Sequence, residues 1–113
     1  MKFMFQVRLK PGYQAADYAR AWVAASRLIQ QAPGALGTEL HRKLDDPNEL
    51  LAIARWDSKA SRDAMEQQPN ERIKAIIQSA APYVDITPLG EFAEPDWVIG
   101  PGGTVEKDAT PAS

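Results

Sequence analysis

Four side chains flanking one polar turn are of types that can do chemistry: His41 and Arg42 before it, Arg55 and Trp56 after it. Histidine is the one residue whose unperturbed pKa suits proton transfer near neutrality, so His41 is the candidate general base. Arg42 and Arg55 can each clamp a carboxylate or phenolate through two parallel N–H donors, which makes both candidate substrate anchors. Trp56 offers a flat apolar wall with a single N–H donor at its edge. Each residue also has a plainer structural use. A lone strand histidine between Leu40 and Arg42 commonly faces solvent, hairpin arginines are commonly ion-paired, and a tryptophan at a strand-helix corner commonly packs a core. Tyr18 and Trp22, one helical turn apart, read as a core stripe. Gly100-Pro101-Gly102-Gly103 lacks the lysine and the following helix of a phosphate loop. No Ser-His-Asp order and no clustered carboxylate pair stands out, so nucleophilic hydrolysis has no support.

Composition removes further chemistries. A chain of 113 residues that is 44% hydrophobic suits one domain with one modest core. The absence of cysteine excludes disulfides, thiolate nucleophiles and zinc-thiolate sites together, and a single histidine excludes a multi-histidine metal site within one chain. With 13 Lys and Arg against 15 Asp and Glu, the net charge of −2 creates no field to gather nucleic acid or anionic lipid. The N-terminal MKFMFQVRLKPG alternates apolar and charged residues, unlike a signal peptide or a membrane span, and cytoplasm is the expected location.

The elements that must position these residues follow from periodicity. Phe3, Phe5, Val7 and Leu9 alternate with polar residues, the period of a half-buried strand. Tyr18, Trp22, Ala25 and Ile29 form the stripe of an amphipathic helix over about 13–31. Leu36, Thr38, Leu40, Arg42 and Leu44 give a second strand. The Asp45-Asp46-Pro47-Asn48-Glu49 turn joins it as a hairpin to a third strand, Leu50 to Trp56, whose apolar character predicts that both faces are covered. Asp57 or Ser58 can cap the next helix, which Pro69 should divide in two. A last strand runs from Tyr83 to about Leu89, extending as far as Phe92. The remainder, 93–113, lacks periodicity and reads as a flexible tail in which Trp97-Val98-Ile99 is an apolar docking segment. The order is βαββαβ, an α+β ferredoxin-like domain over 1–92 with helices on one face of an antiparallel sheet. The other face needs a cover, and a homodimer packed sheet to sheet is the economical one.

The segment APGALGTELHRKLDDPNELLAIARWDSKASRDA at 32–64, with its PG-x-LG entry and its strand ending in W-[DE]-S, resembles the antibiotic biosynthesis monooxygenase (ABM) domains. The resemblance covers roughly residues 1–92 and implies a dimeric α+β barrel. It also implies an oxidoreductase of the cofactor-independent monooxygenase type, with neither metal nor flavin, acting on a small aromatic or quinol-like molecule that itself reduces oxygen inside a dry cavity. By this resemblance Trp56 matches a site tryptophan, whereas Ala52 and Arg62 stand where family members carry a site asparagine and tyrosine, and Ala75 or Ile76 stands where one carries an arginine. Two alternatives accompany that reading. A non-catalytic barrel would bind an apolar metabolite, and a haem-degrading branch would need its asparagine, tryptophan and histidine where this chain has Phe5, Met65 and Ala75.

Overall fold

The computed structural model describes residues 1–110. Its elements run β1 (Lys2–Leu9), α1 (Ala15–Ile29), β2 (Ala35–Lys43), β3 (Asp46–Trp56), α2 (Lys59–Gln67), α3 (Glu71–Ala80), β4 (Val84–Phe92), β5 (Trp97–Ile99) and β6 (Val105–Asp108). The first four strands form one antiparallel sheet in the order β2-β3-β1-β4. This is the expected α+β, ferredoxin-like arrangement.

Register sorts the side chains between two faces, because directly paired residues of neighbouring strands point the same way. Phe3, Phe5 and Val7 stand opposite Ala54, Ala52 and Leu50 on the face that the helices cover. Val7, Leu9 and Leu50 form the core there with Tyr18, Ala80 and Val84. Met4, Gln6 and Arg8 stand opposite Ile53, Leu51 and Glu49 on the other face, where these residues are half-buried or exposed. β3 is thus apolar on both sides only in its middle, and polar residues hold the ends of its open side.

Local signals act where the sequence places them. Asp17 accepts the Gln14 N–H at 2.7 Å and closes the first turn of α1. Ser58 accepts the Ser61 N–H at 3.1 Å, and Asn70 accepts those of Arg72 and Ile73, so α2 and α3 are separately capped on either side of Pro69. Gly34 has a φ of +88°, and a Cβ there would lie 2.5 Å from Asp57 Oδ1 and Ser61. Only glycine permits this close approach, which brings the start of β2 against the start of α2.

Two expectations change. The hairpin turn is the two residues 44–45, and Pro47 lies inside β3. Pairing of β3 with β1 begins only at Glu49, so Pro47 sits at a strand end where the missing N–H leaves no gap between those two strands. Asp46 accepts the Asn48 N–H at 2.9 Å, the local bond that made the segment read as a turn. The region expected to be tail carries an antiparallel ribbon, β5 with β6. Trp97 lies in it, 64% exposed, and donates its Nε1–H to Thr110 Oγ1 at 2.9 Å. The last positions of the expected tail, 111–113, lie outside the described residues.

Candidate active site

Between the helix-covered face of the sheet and the helices lies a cavity of about 490 Å³. Its sheet wall is Phe3, Phe5, Thr38, Ala52, Ala54 and Trp56, and its helix walls include Tyr18 and Trp22 of α1, Arg62 and Met65 of α2, and Ile76 of α3. Glu66, Ile77 and Ile86 also line it and are exposed, so the opening lies between α2, α3 and the edge strand β4. The volume and the mostly apolar lining suit one small aromatic molecule.

Trp56 is 2% exposed and is fixed at the end of β3 by its neighbours. Its backbone N–H donates to the Met1 carbonyl at 2.9 Å, and Ala35 of β2 pairs with it on the other side. The ring can therefore serve as a rigid wall. Phe3 and Phe5, with ring centroids 5.7 Å apart, continue that wall along β1. Burial pushes the Tyr18 phenol up to about 12, so it stays protonated at neutral pH and offers a hydroxyl group rather than a base.

Arg62 is the cationic member of the lining, with its side chain 16% exposed. Its guanidinium carbon stands 3.8 Å from the centroid of the Phe3 ring, a cation–π stack. Its two terminal nitrogens reach Glu66 Oε1 at 3.3 Å and Glu91 Oε2 at 3.6 Å. Lys59 holds Glu91 Oε1 from the other side at 3.0 Å, which ties α2 to β4 beside the opening.

Of the four residues marked by sequence, Trp56 lines this cavity and His41, Arg42 and Arg55 do not. His41 stands opposite Leu51 on the open face, where its Nε2 lies 2.9 Å from Glu39 Oε2. Arg55 donates to the other oxygen of the same carboxylate at 2.9 and 3.2 Å. The hydrogen bond from His41, and then that from Arg55, hold the Glu39 carboxyl below the usual carboxylate range. Arg42 is exposed at the far end of β2, where it pairs with Leu50, and borders with His41, Gln6 and Glu49 a second recess of about 380 Å³. Tyr18 and Trp22, read from sequence as a core stripe, both front the cavity, since a stripe facing a sheet and a stripe facing a space beneath it have the same period. Arg62 carried one signal. Met65 is the one large apolar residue of α2 and fixes its inward side, and Arg62 lies one turn before it.

Among the described residues no group of three or more His, Cys, Asp or Glu is placed to hold a metal ion, and no helix is long and apolar enough to cross a membrane.

Comparison with known proteins agrees with this fold. The antibiotic biosynthesis monooxygenase family model matches residues 2–72, and the chain belongs to that family. Among solved structures it is similar to SnoaB, a cofactor-independent oxygenase from Streptomyces nogalater, at 15% identity and a TM-score of 0.70, over 83% of this chain and 92% of that one. It is also similar to an antibiotic biosynthesis monooxygenase at 20% identity and a TM-score of 0.62, over 84% of this chain and 100% of that one. PA3566 from Pseudomonas aeruginosa matches at 19% identity and a TM-score of 0.59, over 81% of this chain and 93% of that one. At these identities the likeness shows the shared fold. No curated protein matches by sequence.

Proposed function

We propose that this protein is a cofactor-independent monooxygenase that oxidises a small aromatic or quinol-like substrate in the cavity walled by Trp56. The observation that carries the reading is the cavity of about 490 Å³ with aromatic side chains on the sheet wall and on α1, in a chain of this family. The likeness to SnoaB, itself a cofactor-independent oxygenase, supports it. In such chemistry the substrate supplies the electrons, and the protein excludes water, orients the ring and stabilises the anion formed when the substrate loses a proton. Trp56, Trp22, Phe3 and Phe5 supply the dry slot. His41 and Arg55 are bound up with Glu39 on the open face and play no part in this scheme.

The functional unit in this reading is a homodimer. Met4, Leu51 and Ile53 are only half-buried on the open face, and Leu89 and Phe92 are 49% and 47% exposed. A second copy packed sheet to sheet covers them and completes a barrel. Sedimentation showing a stable monomer at micromolar concentration would exclude it.

Purified protein incubated with a panel of anthrones and hydroquinones under oxygen should consume oxygen above the buffer rate. No acceleration with any of them overturns the reading. A second reading, a carrier of apolar metabolites, is favoured by Ala52 at a position where the resemblance calls for a polar group. Mass spectrometry of a co-purified ligand that survives aerobic incubation unaltered would establish it. The haem alternative lacks an axial histidine in the cavity, because the sole histidine lies on the opposite face of the sheet, and titration with hemin should give no Soret shift.

A further inference from the structure

The cavity opening holds an ion pair whose placement exceeds what α2 needs. An i,i+4 pair on an exposed helix face contributes little to stability. Arg62, however, is largely shielded, stacked on Phe3 in the cavity wall, and held by Glu66 and Glu91 at contacts no shorter than 3.3 Å. A guanidinium has five N–H donors, so two long single contacts leave donors for a ligand. Glu66 is the only carboxylate in the lining among the described residues. The remaining polar lining side chains are the hydroxyls of Ser26 and Thr38, the phenol of Tyr18 and the indole N–H groups of Trp22 and Trp56, none of which accepts a proton at neutral pH.

We propose that Glu66 and Arg62 are the proton acceptor and the oxyanion holder of the cavity, which selects aromatic substrates bearing a phenolic or enolic hydroxyl. The assignment rests on the oxygenase reading above and gives it a substrate class. An oxygen atom seated against both from the cavity side donates its hydrogen to Glu66 and accepts from Arg62; the facing atoms of the two lie 3.3 Å apart, close enough for one oxygen to touch both. Proton transfer to Glu66 leaves the electron pair on the substrate as a phenolate, paired with the guanidinium. Dioxygen is the oxidant. The electron-rich ring carbon para to that oxygen bonds to one oxygen atom, and the peroxide so formed takes the proton back from Glu66. Loss of the ring C–H proton together with hydroxide, as water, breaks the O–O bond and leaves a quinone. One phenol and one dioxygen give one quinone and one water. Glu66 is more than half exposed on its side chain, so it also exchanges its proton with bulk water.

Other charges face this pair. Glu91 of β4 lies on the far side of Arg62, Lys59 of α2 neutralises Glu91 and Asp63, and the Tyr18 phenol stands neutral in the α1 wall. The guanidinium, held only by long contacts, is thus the cationic donor set that the lining offers a ligand anion entering beside Phe3.

The test uses a probe that does not need turnover. A hydroxyanthraquinone such as alizarin changes colour when its hydroxyl ionises, and its binding quenches tryptophan. Bound to the full chain, its hydroxyl should ionise at least tenfold more readily than in buffer. Arg62→Met, which keeps the stem on Phe3, should bind unsubstituted anthraquinone within threefold of the parent protein and lose the ionisation shift. Equal ionisation by the parent protein and R62M overturns the proposal, as does the absence of any shift on binding. For a substrate the panel shows to be oxidised, Glu66→Gln should lower kcat about 100-fold with KM changed less than threefold, and Glu66→Asp should restore part of it. An E66Q rate equal to that of the parent protein also overturns the assignment. If nothing on the panel is oxidised, the oxygenase reading fails by itself, and the alizarin measurement still decides whether Arg62 recognises a phenolate.

Discussion

Ala52 separates a cavity kept open for a ligand from a loosely filled core. Its side chain is buried at 1% exposure, points to the helix-covered face between Phe5 of β1 and Leu40 of β2, and lines the cavity. Ala52→Ile adds the equivalent of about three methylene groups to a central strand that suits a β-branched residue. If these carbons move into an apolar space of about 490 Å³, burial contributes about 0.8 kcal/mol each, roughly 2 kcal/mol in all. The expected result is a urea midpoint shifted upward at constant m-value and a Tm raised by roughly 8 °C. The same substitution occupies the slot beside Trp56, so binding of an anthraquinone, read by quenching of Trp22 and Trp56 in a Trp97→Phe background, should weaken at least tenfold. The variant is therefore more stable and less able to bind. A fall in stability of 1 kcal/mol or more would show that the wall is already close-packed and that no open cavity exists there. Increased stability with unchanged binding would place the ligand elsewhere.

Further outcomes follow from the same geometry. Trp56→Phe should keep the fold within about 1.5 kcal/mol but weaken aromatic ligand binding, whereas Trp56→Ala should cost about 3 kcal/mol in urea unfolding, near the low end for such a truncation because one side of the ring already fronts a space. His41→Ala should leave turnover within twofold of the parent protein, and a 100-fold loss would restore His41 to the mechanism and refute the placement of the site between sheet and helices. Stability should fall on acidification. Glu39, Asp46, Asp57 and Glu94 all have folded-state values lowered by hydrogen bonds, from His41, Arg8, Ser61 and the N-terminal ammonium respectively. Their contribution is complete above the unfolded values near pH 4 and is lost as pH drops through the lower folded values. A Tm that rises between pH 5 and pH 3 would contradict this. In the alkaline range Tyr18 acts with the opposite limit. Its phenol is pushed up to about 12, so its contribution is intact below about pH 10 and is lost between there and pH 12. Phenolate absorbance should show one of the three tyrosines titrating last.

The sequence alone determined the elements and their order. Alternation at Phe3 to Leu9, the stripe from Tyr18 to Ile29, the cap at Ser58 and the break at Pro69 are local effects within a few residues, and the backbone obeys them. Where two local signals competed, pairing decided. Pro47 with its Asx bond reads as a turn but joins β3, because β2 pairs with β3 as far as Asp46. The ribbon of β5 and β6 was hidden because strands of 3 and 4 residues are too short to show a period.

The position of the site belonged to the tertiary structure. His41 and Arg55 looked promising because they flank a hairpin, yet parity in the strand sends both to the open face, while Trp56 turns towards the helices. Whether a space remains beneath a helix is a difference between the volume the scaffold encloses and the volume its side chains fill. No local pattern encodes that difference. It emerges when α1, α2 and α3 close over Ala52 and Ala54, two small residues in the middle of the sheet, and bring Arg62 and Glu66 of α2 together with Trp56 of β3 at one cavity.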